Sequence, residues 1–295
     1  MDASALRIFE AVARLGGMSR AAAELNTVQS NVTARIRQLE ARLGVALFER
    51  HARGVSLTPA GRRLLPYAAR LVHLLEEACR AARDDGTPRG PLRVGALETT
   101  AGLRLPPVLA AFAAAHPAVD LSLRTGTTCE LVEEVLAGRL EGAFVCGPVD
   151  HPDLAEETVF REELAVLTAP GVASLDALVR RGEVRIVVLR AGCSYRQRLE
   201  TILARRGVPR PRLLEFGTLE AILGCVAAGL GVTLLPRALI GPVWREENRV
   251  AVHALPPAEA RVETVFIRRH DGHLSSALAA FLACARPPAT AQAAA

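Results

Sequence analysis

Residues 19–61, SRAAAELNTVQSNVTARIRQLEARLGVALFERHARGVSLTPAG, decide the fold of the N-terminal part of this chain. The pattern predicts two short helices separated by a polar turn at Asn26-Thr27, followed by a hairpin and the start of a new helix. Ser19 is predicted to cap the first helix, and the second is predicted to begin near Gln29. Four apolar residues of the second helix recur at helical spacing and predict one buried stripe, namely Val32, Ile36, Leu39 and Leu43.

The opposite face of the second helix is polar. It carries Ser30, Thr33, Ala34 and Arg37, with Gln29 at the helix start. Amide, hydroxyl and guanidinium groups on such a face can meet base edges in the major groove of DNA. The next segment, LFERHARGVSLT, predicts a wing, which is a hairpin with a basic tip. It would place Arg50 beside the DNA backbone and Arg53 toward a minor groove.

Residues 28–61, VQSNVTARIRQLEARLGVALFERHARGVSLTPAG, closely resemble the winged helix-turn-helix of LysR-type transcriptional regulators. The resemblance implies double-stranded DNA as a partner, and Gln29 and Arg50 hold the family's positions. Taken with the helix face and the hairpin, the candidate DNA-contacting residues are Thr27, Gln29, Ser30, Asn31, Thr33, Arg35, Arg37, Arg50 and Arg53. Two positions depart from the family pattern: Thr33 stands where Ser is usual, and Ala34 where Arg is frequent. The operator sequence therefore does not carry over. Helical spacing also places Arg35 close to the buried stripe.

The charge of the chain is unevenly distributed. Residues 1–90 contain 14 Arg and 9 acidic residues, whereas residues 91–295 contain 22 of each, so the net charge of +5 lies in the N-terminal part. This is expected if only that part meets phosphates. The N-terminus lacks a signal-peptide pattern, and no stretch offers about 18 uninterrupted apolar residues. We therefore expect a cytoplasmic protein without a membrane partner.

Sequence motifs of enzymes and metal sites are missing. The six Cys are scattered without a CxxC pair or a Cys/His spacing typical of zinc. There is no G-x-S-x-G, H-E-x-x-H, P-loop or dinucleotide fingerprint. We expect reduced thiols, no cofactor, no metal and no enzymatic activity.

A long helix is predicted from Thr58-Pro59, an N-cap followed by proline at the first helical position, to about Arg83. Its apolar residues recur at a spacing close to seven: Leu64, Leu65, Ala68, Leu71, Val72, Leu75, Ala78, Cys79 and Ala82. This seam predicts a homodimer through residues 59–85. The alternative is a helix that packs on its own domain. Pro66 should bend the helix. The family resemblance further implies a homotetramer and a contact with RNA polymerase.

Beyond a linker at residues 84–91, strand-like and helical stretches alternate, which indicates α/β architecture. GALETTAGLRLPPVL, TGTTCELVEEVLAG, GCSYR and AGLGVTLLP resemble the effector-binding domain of the same family, in which two α/β lobes similar to type 2 periplasmic binding proteins surround a cleft. The expected domains are a winged helix-turn-helix (1–58), a linker helix and hinge (59–90) and an effector domain (91–286). Lobe one would comprise about 91–162 and 267–286, lobe two about 163–266, and residues 287–295 a disordered tail.

Three segments are predicted to line the cleft, because ligands bind beyond the carboxyl ends of strands and at helix N-termini. They contribute Thr99, Thr100, Thr127, Thr128, Cys193, Ser194, Tyr195 and Arg196. We expect a small organic effector, anionic in character, whose binding alters promoter binding and bending. Alternatively, the Thr and Ser residues act only as N-caps, and Arg196 pairs with Glu200 one helical turn away.

Cys193 supports a second hypothesis for the signal. A thiol at a helix N-terminus near Arg196 can have a lowered pKa and a raised reactivity. The chain would then be a thiol-based, redox-responsive regulator. The simpler interpretation is that Cys193 is a small residue in the wall of the cleft.

Overall fold

The structure, a computed structural model, describes residues 2–51, 54–180, 182, 184–241 and 249–286, without the side chain of Arg50. The expected disordered tail, 287–295, lies outside these residues. The described chain forms two compact units. The N-terminal unit comprises residues 2–84, with which residues 137–139 are grouped, and the C-terminal unit comprises residues 85–136 and 140–286.

The N-terminal unit contains four helices and one hairpin among its described residues. Their bounds are α1 (Ala3–Leu15), α2 (Met18–Glu24), α3 (Gln29–Leu43), β1 (Phe48–His51), β2 (Gly54–Leu57) and α4 (Pro59–Arg83). The predicted turn between α2 and α3 contains Asn26, whose φ of 50° lies in the left-handed region that Asn tolerates better than most residues. The two strands pair antiparallel, with Phe48 opposite Leu57.

Two details of the recognition segment differ from the sequence prediction. Ser19 does not cap α2, because the helix begins at Met18 and Gly17 occupies the cap position without a side-chain hydrogen bond. Leu43 does not join the buried stripe: Val32, Ile36 and Leu39 are at most 2% exposed, but Leu43 is 38% exposed. Leu43 is the last residue of α3, one turn beyond the residues that α1 and the hairpin cover.

The start of α4 explains the LTPAG motif. Thr58 Oγ1 accepts the backbone N–H of Gly61 at 3.0 Å and donates to the carbonyl of Ala46 at 2.7 Å. A Cβ added to Gly61 would lie 2.2 Å from the carbonyl oxygen of Leu47, which no side chain could tolerate. Glycine at this position therefore lets α4 approach the segment that leads into the wing.

The predicted seam of α4 divides into two parts. Ala68 and Val72 are buried, and Leu64, Leu65 and Leu71 pack on the core that α1 contributes. Further along, Leu74 and Leu75 are 52% and 45% exposed. The first half of the seam thus packs within its own unit, as the alternative interpretation proposed, and the second half leaves apolar surface exposed. The helix is continuous through Pro66.

The C-terminal unit alternates strands and helices as predicted. Its strands are β3 (Gly90–Leu97), β4 (Val119–Gly126), β5 (Gly142–Cys146), β6 (Leu154–Thr168), β7 (Arg185–Leu189), β8 (Arg212–Phe216), β9 (Thr233–Pro236), β10 (Ala251–Ala254) and β11 (Arg261–Arg269). Its helices are α5 (Glu98–Leu103), α6 (Leu105–Ala115), α7 (Thr128–Leu136), α8 (Leu175–Val179), α9 (Ser194–Arg205), α10 (Leu219–Ala227), α11 (Pro257–Ala260) and α12 (Ser276–Ala285).

The long strand β6 joins the two lobes. The strand order is β10-β6-β11-β5-β3-β4, with β9 also paired to β6. Residues 154–163 of β6 pair with β11 in lobe one, whereas in lobe two residues 164–167 pair with β9 and residues 165–168 pair with β10. β11 pairs with β6 from Arg261 onward and with β5 from Thr264 onward, so residues 261–266, which the sequence suggested for lobe two, share one strand with residues 267–269.

Each lobe has an apolar core. In lobe one, Phe112 and Phe281 meet edge to face at 5.2 Å, beneath Phe144 of the sheet. In lobe two, α10 packs Ile222 and Val226 against the sheet. A third cluster, which includes Val145, Leu164 and Leu199, lies where the lobes meet. Among the described residues, no helix is long and apolar enough to cross a membrane.

Candidate functional site

The polar face of α3 lies on the surface of the N-terminal unit. Gln29, Ser30, Asn31 and Arg37 are exposed, and Thr33 is half-buried. The buried stripe on the other side holds the helix against α1 and α2. The structure therefore presents these predicted DNA-contacting side chains together on one side of a rigidly packed helix.

Neighbouring side chains hold the start of this face in place. The hydroxyl of Ser19 donates to Gln29 Oε1 at 3.0 Å, and the Asn31 amide donates to Thr27 Oγ1 at 3.0 Å. Gln29 keeps its amide nitrogen free of these bonds. Sequence reasoning missed this role of Ser19, because it treated Ser19 as a helix cap.

The predicted Arg residues are placed differently from one another. Arg35 reaches toward the N-terminus of α1, with Nη1 3.9 Å from Asp2 Oδ2, and so is turned away from the polar face. The backbone of Arg50 lies in β1, opposite Val55. The side chain of Arg50 and all of Arg53 lie outside the described residues.

The wing is fixed to α3 by Glu40. Its Oε1 accepts the backbone N–H groups of Leu47 and Phe48, at 2.7 and 3.2 Å. A charged acceptor makes these bonds stronger than neutral ones. The carboxylate therefore sets the position of the hairpin relative to the helix that carries the polar face.

A small cavity of about 30 Å³ lies between the two lobes. Five predicted effector residues line it: Thr99, Thr127, Cys193, Ser194 and Tyr195. The wall also includes Glu98, Thr125 and Gly126, which belong to the predicted segments, and Leu97, Leu189 and Arg190, which sequence reasoning did not select. Arg190 follows directly after a strand, which is the signal that could have identified it.

Two hydroxyls in this wall have no hydrogen-bond partner among the described residues. They are Thr99 Oγ1 and Tyr195 Oη, in residues that are 2% and 4% exposed. Burial raises the pKa of Tyr195, and the nearby Thr99 hydroxyl lowers it to a smaller extent without meeting hydrogen-bond geometry. A buried hydroxyl without a hydrogen-bond partner costs free energy. A polar ligand group within reach of both hydroxyls would therefore be stabilising.

Contacts across the cleft hold the lobes together. Ser194 Oγ donates to Thr128 Oγ1 at 3.0 Å, and Arg190 Nη1 lies 4.0 Å from Glu130 Oε1. Glu130 also accepts the backbone N–H of Thr127 at 2.8 Å, and this hydrogen bond is the main cause that lowers the pKa of its carboxyl. Thr128 thus acts between the lobes and does not line the cavity.

Glu98 has the opposite electrostatic environment. Burial raises the pKa of its carboxyl, and repulsion by Glu220 raises it further. The backbone N–H of Leu219 and the charge of Arg190 lower it to a smaller extent. The cavity therefore contains a carboxyl that takes up a proton more readily than an ordinary glutamate.

Besides Thr128, two predicted effector residues lie outside the cavity wall. Arg196 pairs with Glu200 at 3.1 Å and with Glu215 at 2.9 Å, so its guanidinium is already occupied. This is the pairing that the alternative interpretation described, extended to β8. Thr100 is buried, but it does not line the cavity.

Cys193 is placed as a wall residue. It is 8% exposed, and burial raises the pKa of its thiol more than the neighbouring backbone N–H groups and Arg196 lower it. A buried thiol with a raised pKa contradicts the environment expected of a reactive cysteine. The described residues also contain no group of three or more potential metal ligands.

Comparisons with known proteins agree with this architecture. Residues 3–62 match the model for the bacterial regulatory helix-turn-helix protein, lysR family, and residues 85–288 match the model for the LysR substrate binding domain. The chain therefore belongs to the LysR family of DNA-binding transcriptional regulators.

Individual relatives cover nearly the whole chain. It is 44% identical over 282 residues to the HTH-type transcriptional regulator GltR of Bacillus subtilis (strain 168), covering 96% of this chain and 95% of GltR. It is 44% identical over 277 residues to YofA of Bacillus velezensis (strain DSM 23117 / BGSC 10A6 / LMG 26770 / FZB42), covering 94% and 95%.

Solved structures share the fold. Full-length CbnR in complex with its target DNA superposes with a TM-score of 0.66 at 27% identity, covering 97% of this chain and 99% of CbnR. A full-length OxyR variant from Pseudomonas aeruginosa gives a TM-score of 0.72 at 23% identity, covering 98% and 96%. At 23% identity, the similarity to the OxyR variant supports the fold alone.

Proposed function

We propose that the C-terminal unit binds a small organic anion in the inter-lobe cavity, and that this binding alters how the protein holds and bends promoter DNA. The observation that carries the proposal is the pair of buried, unpartnered hydroxyls of Thr99 and Tyr195. Buried polar groups in native proteins nearly always have a partner, so an orphaned pair in one cavity wall favours a ligand site.

The charges around the cavity support an anionic ligand. Arg190 supplies a guanidinium in the wall, and guanidinium groups favour carboxylates. Glu98 lies in the same wall, where burial raises the pKa of its carboxyl, and a neighbouring anion would raise that pKa further. Protonation of Glu98 would turn a repelling group into a hydrogen-bond donor beside Arg190.

The size of the cavity couples binding to a change in the lobes. A cavity of about 30 Å³ has room for about two water molecules. In this proposal, a larger effector displaces the lobes around the contact between Ser194 and Thr128 as it binds. Such a displacement gives the effector a physical means of changing the state of the regulator.

Calorimetric titration with carboxylates of increasing size, from acetate through malonate to benzoate and glutamate, tests the effector proposal. We expect one class of carboxylate to bind saturably, and its affinity to be about tenfold or more lower for Arg190→Gln. Arg196→Gln is the matched control, because that guanidinium lies outside the cavity wall. Equal losses in both variants, or the absence of saturable binding across the series, would contradict a site at this cavity.

The polar face of α3 is proposed to read the operator through Gln29, Ser30, Thr33 and Arg37, with Arg50 and Arg53 at the backbone or minor groove. The exposed placement of the α3 residues supports this assignment. Fluorescence anisotropy on the DNA upstream of its own gene is the test. Gln29→Ala should weaken binding about tenfold, whereas Gln38→Ala, an exposed amide on the flank of the same helix, should not. Unchanged affinity in Gln29→Ala would reject Gln29 as a reader.

Dimerisation is proposed to use the second half of α4, where Leu75 of the predicted seam and the neighbouring Leu74 are exposed. An apolar stripe of this kind is stabilised by a partner helix. Leu74→Glu should give a monomer in analytical ultracentrifugation and weaken DNA binding, whereas Leu213→Glu, at a similarly exposed Leu of the C-terminal unit, should not. A dimeric Leu74→Glu protein would contradict this interface. A tetramer and a contact with RNA polymerase complete the proposed assembly at the promoter.

A further inference from the structure

Val28 stands at the N-terminal end of the recognition helix with its side chain in solvent. It is 64% exposed and occupies the N-cap position of α3, immediately before Gln29. Its carbonyl accepts the N–H groups of Asn31 and Val32, at 3.1 and 3.3 Å. Its side chain makes no cap hydrogen bond.

Valine is an unfavourable choice at this position for the helix itself. An N-cap side chain normally supplies an oxygen to the free N–H groups of the first turn, and valine has none. Elsewhere in this chain, side-chain oxygens cap helices in that way at Asp2, Thr58, Ser174, Thr218 and Ser275. The exposed isopropyl group of Val28 therefore serves neither helix capping nor the core.

The position of Val28 suggests what covers it. The first residues of a recognition helix are those that contact base edges in the major groove. The only apolar group that a base pair presents in that groove is the 5-methyl group of thymine. An isopropyl group can pack against that methyl group, but it cannot hydrogen-bond to the nitrogen and oxygen atoms that the base edges present.

We propose that Val28 is a specificity-determining residue that reads the 5-methyl group of a thymine in each operator half-site. The inference rests on the proposed role of the α3 face in reading DNA. Gln29 is the adjacent residue, and a glutamine amide suits adenine. The two neighbours together thus favour half-sites in which a thymine and an adenine lie within a few base pairs of each other.

Replacement of thymine by uracil tests the proposal, because it removes the methyl group and leaves every hydrogen-bonding atom in place. Anisotropy titrations use the promoter DNA upstream of the gene, first fully substituted with uracil and then at single positions. For wild type, we expect one position in each half-site at which uracil weakens binding about fourfold, and about fifteenfold for both half-sites together.

Two variants separate Val28 from other causes. Val28→Ser should bind thymine and uracil DNA equally, and its hydroxyl can cap α3, so a loss of folding does not explain the result. Val45→Ser is the matched control, an exposed valine just beyond the C-terminal end of α3, 47% exposed, and it should keep the wild-type preference for thymine.

Each outcome has a defined meaning. The assignment is supported if uracil weakens the binding of wild type and of Val45→Ser but not the binding of Val28→Ser. Equal sensitivity in Val28→Ser, or no sensitivity in wild type, overturns it and leaves DNA reading by the α3 face intact. Failure of wild type to bind the thymine DNA specifically would instead reject the proposed operator reading, and this inference with it.

Discussion

The hydroxyl of Ser194, at the start of α9, donates to Thr128 Oγ1, at the start of α7, at 3.0 Å. This bond closes the cleft between helices of different lobes. Its loss should make local opening easier, since a hydrogen bond of this kind contributes about 1 kcal/mol. Ser194→Ala should therefore speed amide hydrogen exchange about fivefold near residues 125–128 and 190–195. Thr201→Ala, farther along α9, is the control and should leave exchange there unchanged. Unaltered exchange in Ser194→Ala would show that the bond does not limit opening.

Removal of the hydroxyl of Thr99 or of Tyr195 should raise the stability of the ligand-free protein and lower its affinity for the effector. Thr99→Val removes a buried hydroxyl that lacks a partner, so we expect the ligand-free protein to gain about 1 kcal/mol, or roughly 2–4 °C in melting temperature. Effector affinity should fall about tenfold. Tyr195→Phe should behave in the same way, as measured by calorimetry.

Thr264→Val is the control for that pair. Thr264 is fully buried in β11, and its hydroxyl also lacks a partner among the described residues, but it does not line the cavity. It should gain stability and keep its effector affinity. If Thr99→Val binds the effector as tightly as wild type does, the hydroxyl is not a ligand group.

Gly61→Ala should unfold the N-terminal unit at a much lower temperature. The added Cβ would meet the carbonyl oxygen of Leu47 at 2.2 Å, and neither backbone can move without disturbing the wing. We expect a loss of about 3 kcal/mol or more, which corresponds to more than about 10 °C for a domain of this size. Gly102→Ala in α5, where an added Cβ meets nothing within 4 Å, should be neutral or slightly stabilising. Similar melting temperatures for both variants would contradict the close approach.

Glu98 and Glu130 should affect stability with opposite dependence on pH. The pKa of Glu98 is raised, mainly by burial, so the folded state binds its proton more tightly than the unfolded state does. Glu98 therefore costs stability above its folded pKa, and the cost disappears below the unfolded value of about 4.3. Glu98→Gln should melt higher than wild type at pH 7, with a difference that shrinks as the pH falls to about 4.

Glu130 gives the opposite sign. Its pKa is lowered, chiefly by the N–H of Thr127, so it contributes stability above its unfolded pKa that is lost as the pH falls through its folded pKa. Glu130→Gln should melt below wild type at pH 7 and approach it in acid. Parallel curves for the two variants would refute the assigned environments.

Much of the fold could be predicted because local patterns and tertiary packing agree. The strands and helices of the C-terminal unit alternate as predicted, and the polar turn at Asn26 separates α2 from α3. Leu43 was misplaced because helical periodicity gives the direction of a side chain but not where the neighbouring core ends. The seam of α4 has the same ambiguity, since α1 covers only its first half.

The sequence predicted which loops form the candidate site, but not which of their side chains line it. Topology brings the segments that follow β3 and β4 opposite the start of α9, so Thr99, Thr127 and Ser194 share one cavity. Arg196 turned outward because Glu215, distant in sequence, lies beside it on β8. Partners of that kind depend on strand placement in three dimensions and leave no local signal. Val28 was overlooked because an exposed valine is unremarkable until its position as an uncapped N-cap is known.

The 15-residue strand β6 has a mechanical consequence. The strand pairs with β11 up to Glu163 and with β9 from Leu164 onward, so each of its ends is held by a different lobe. Rotation of one lobe against the other would therefore twist the backbone of β6 near Glu163 and Leu164, where its pairing partner changes.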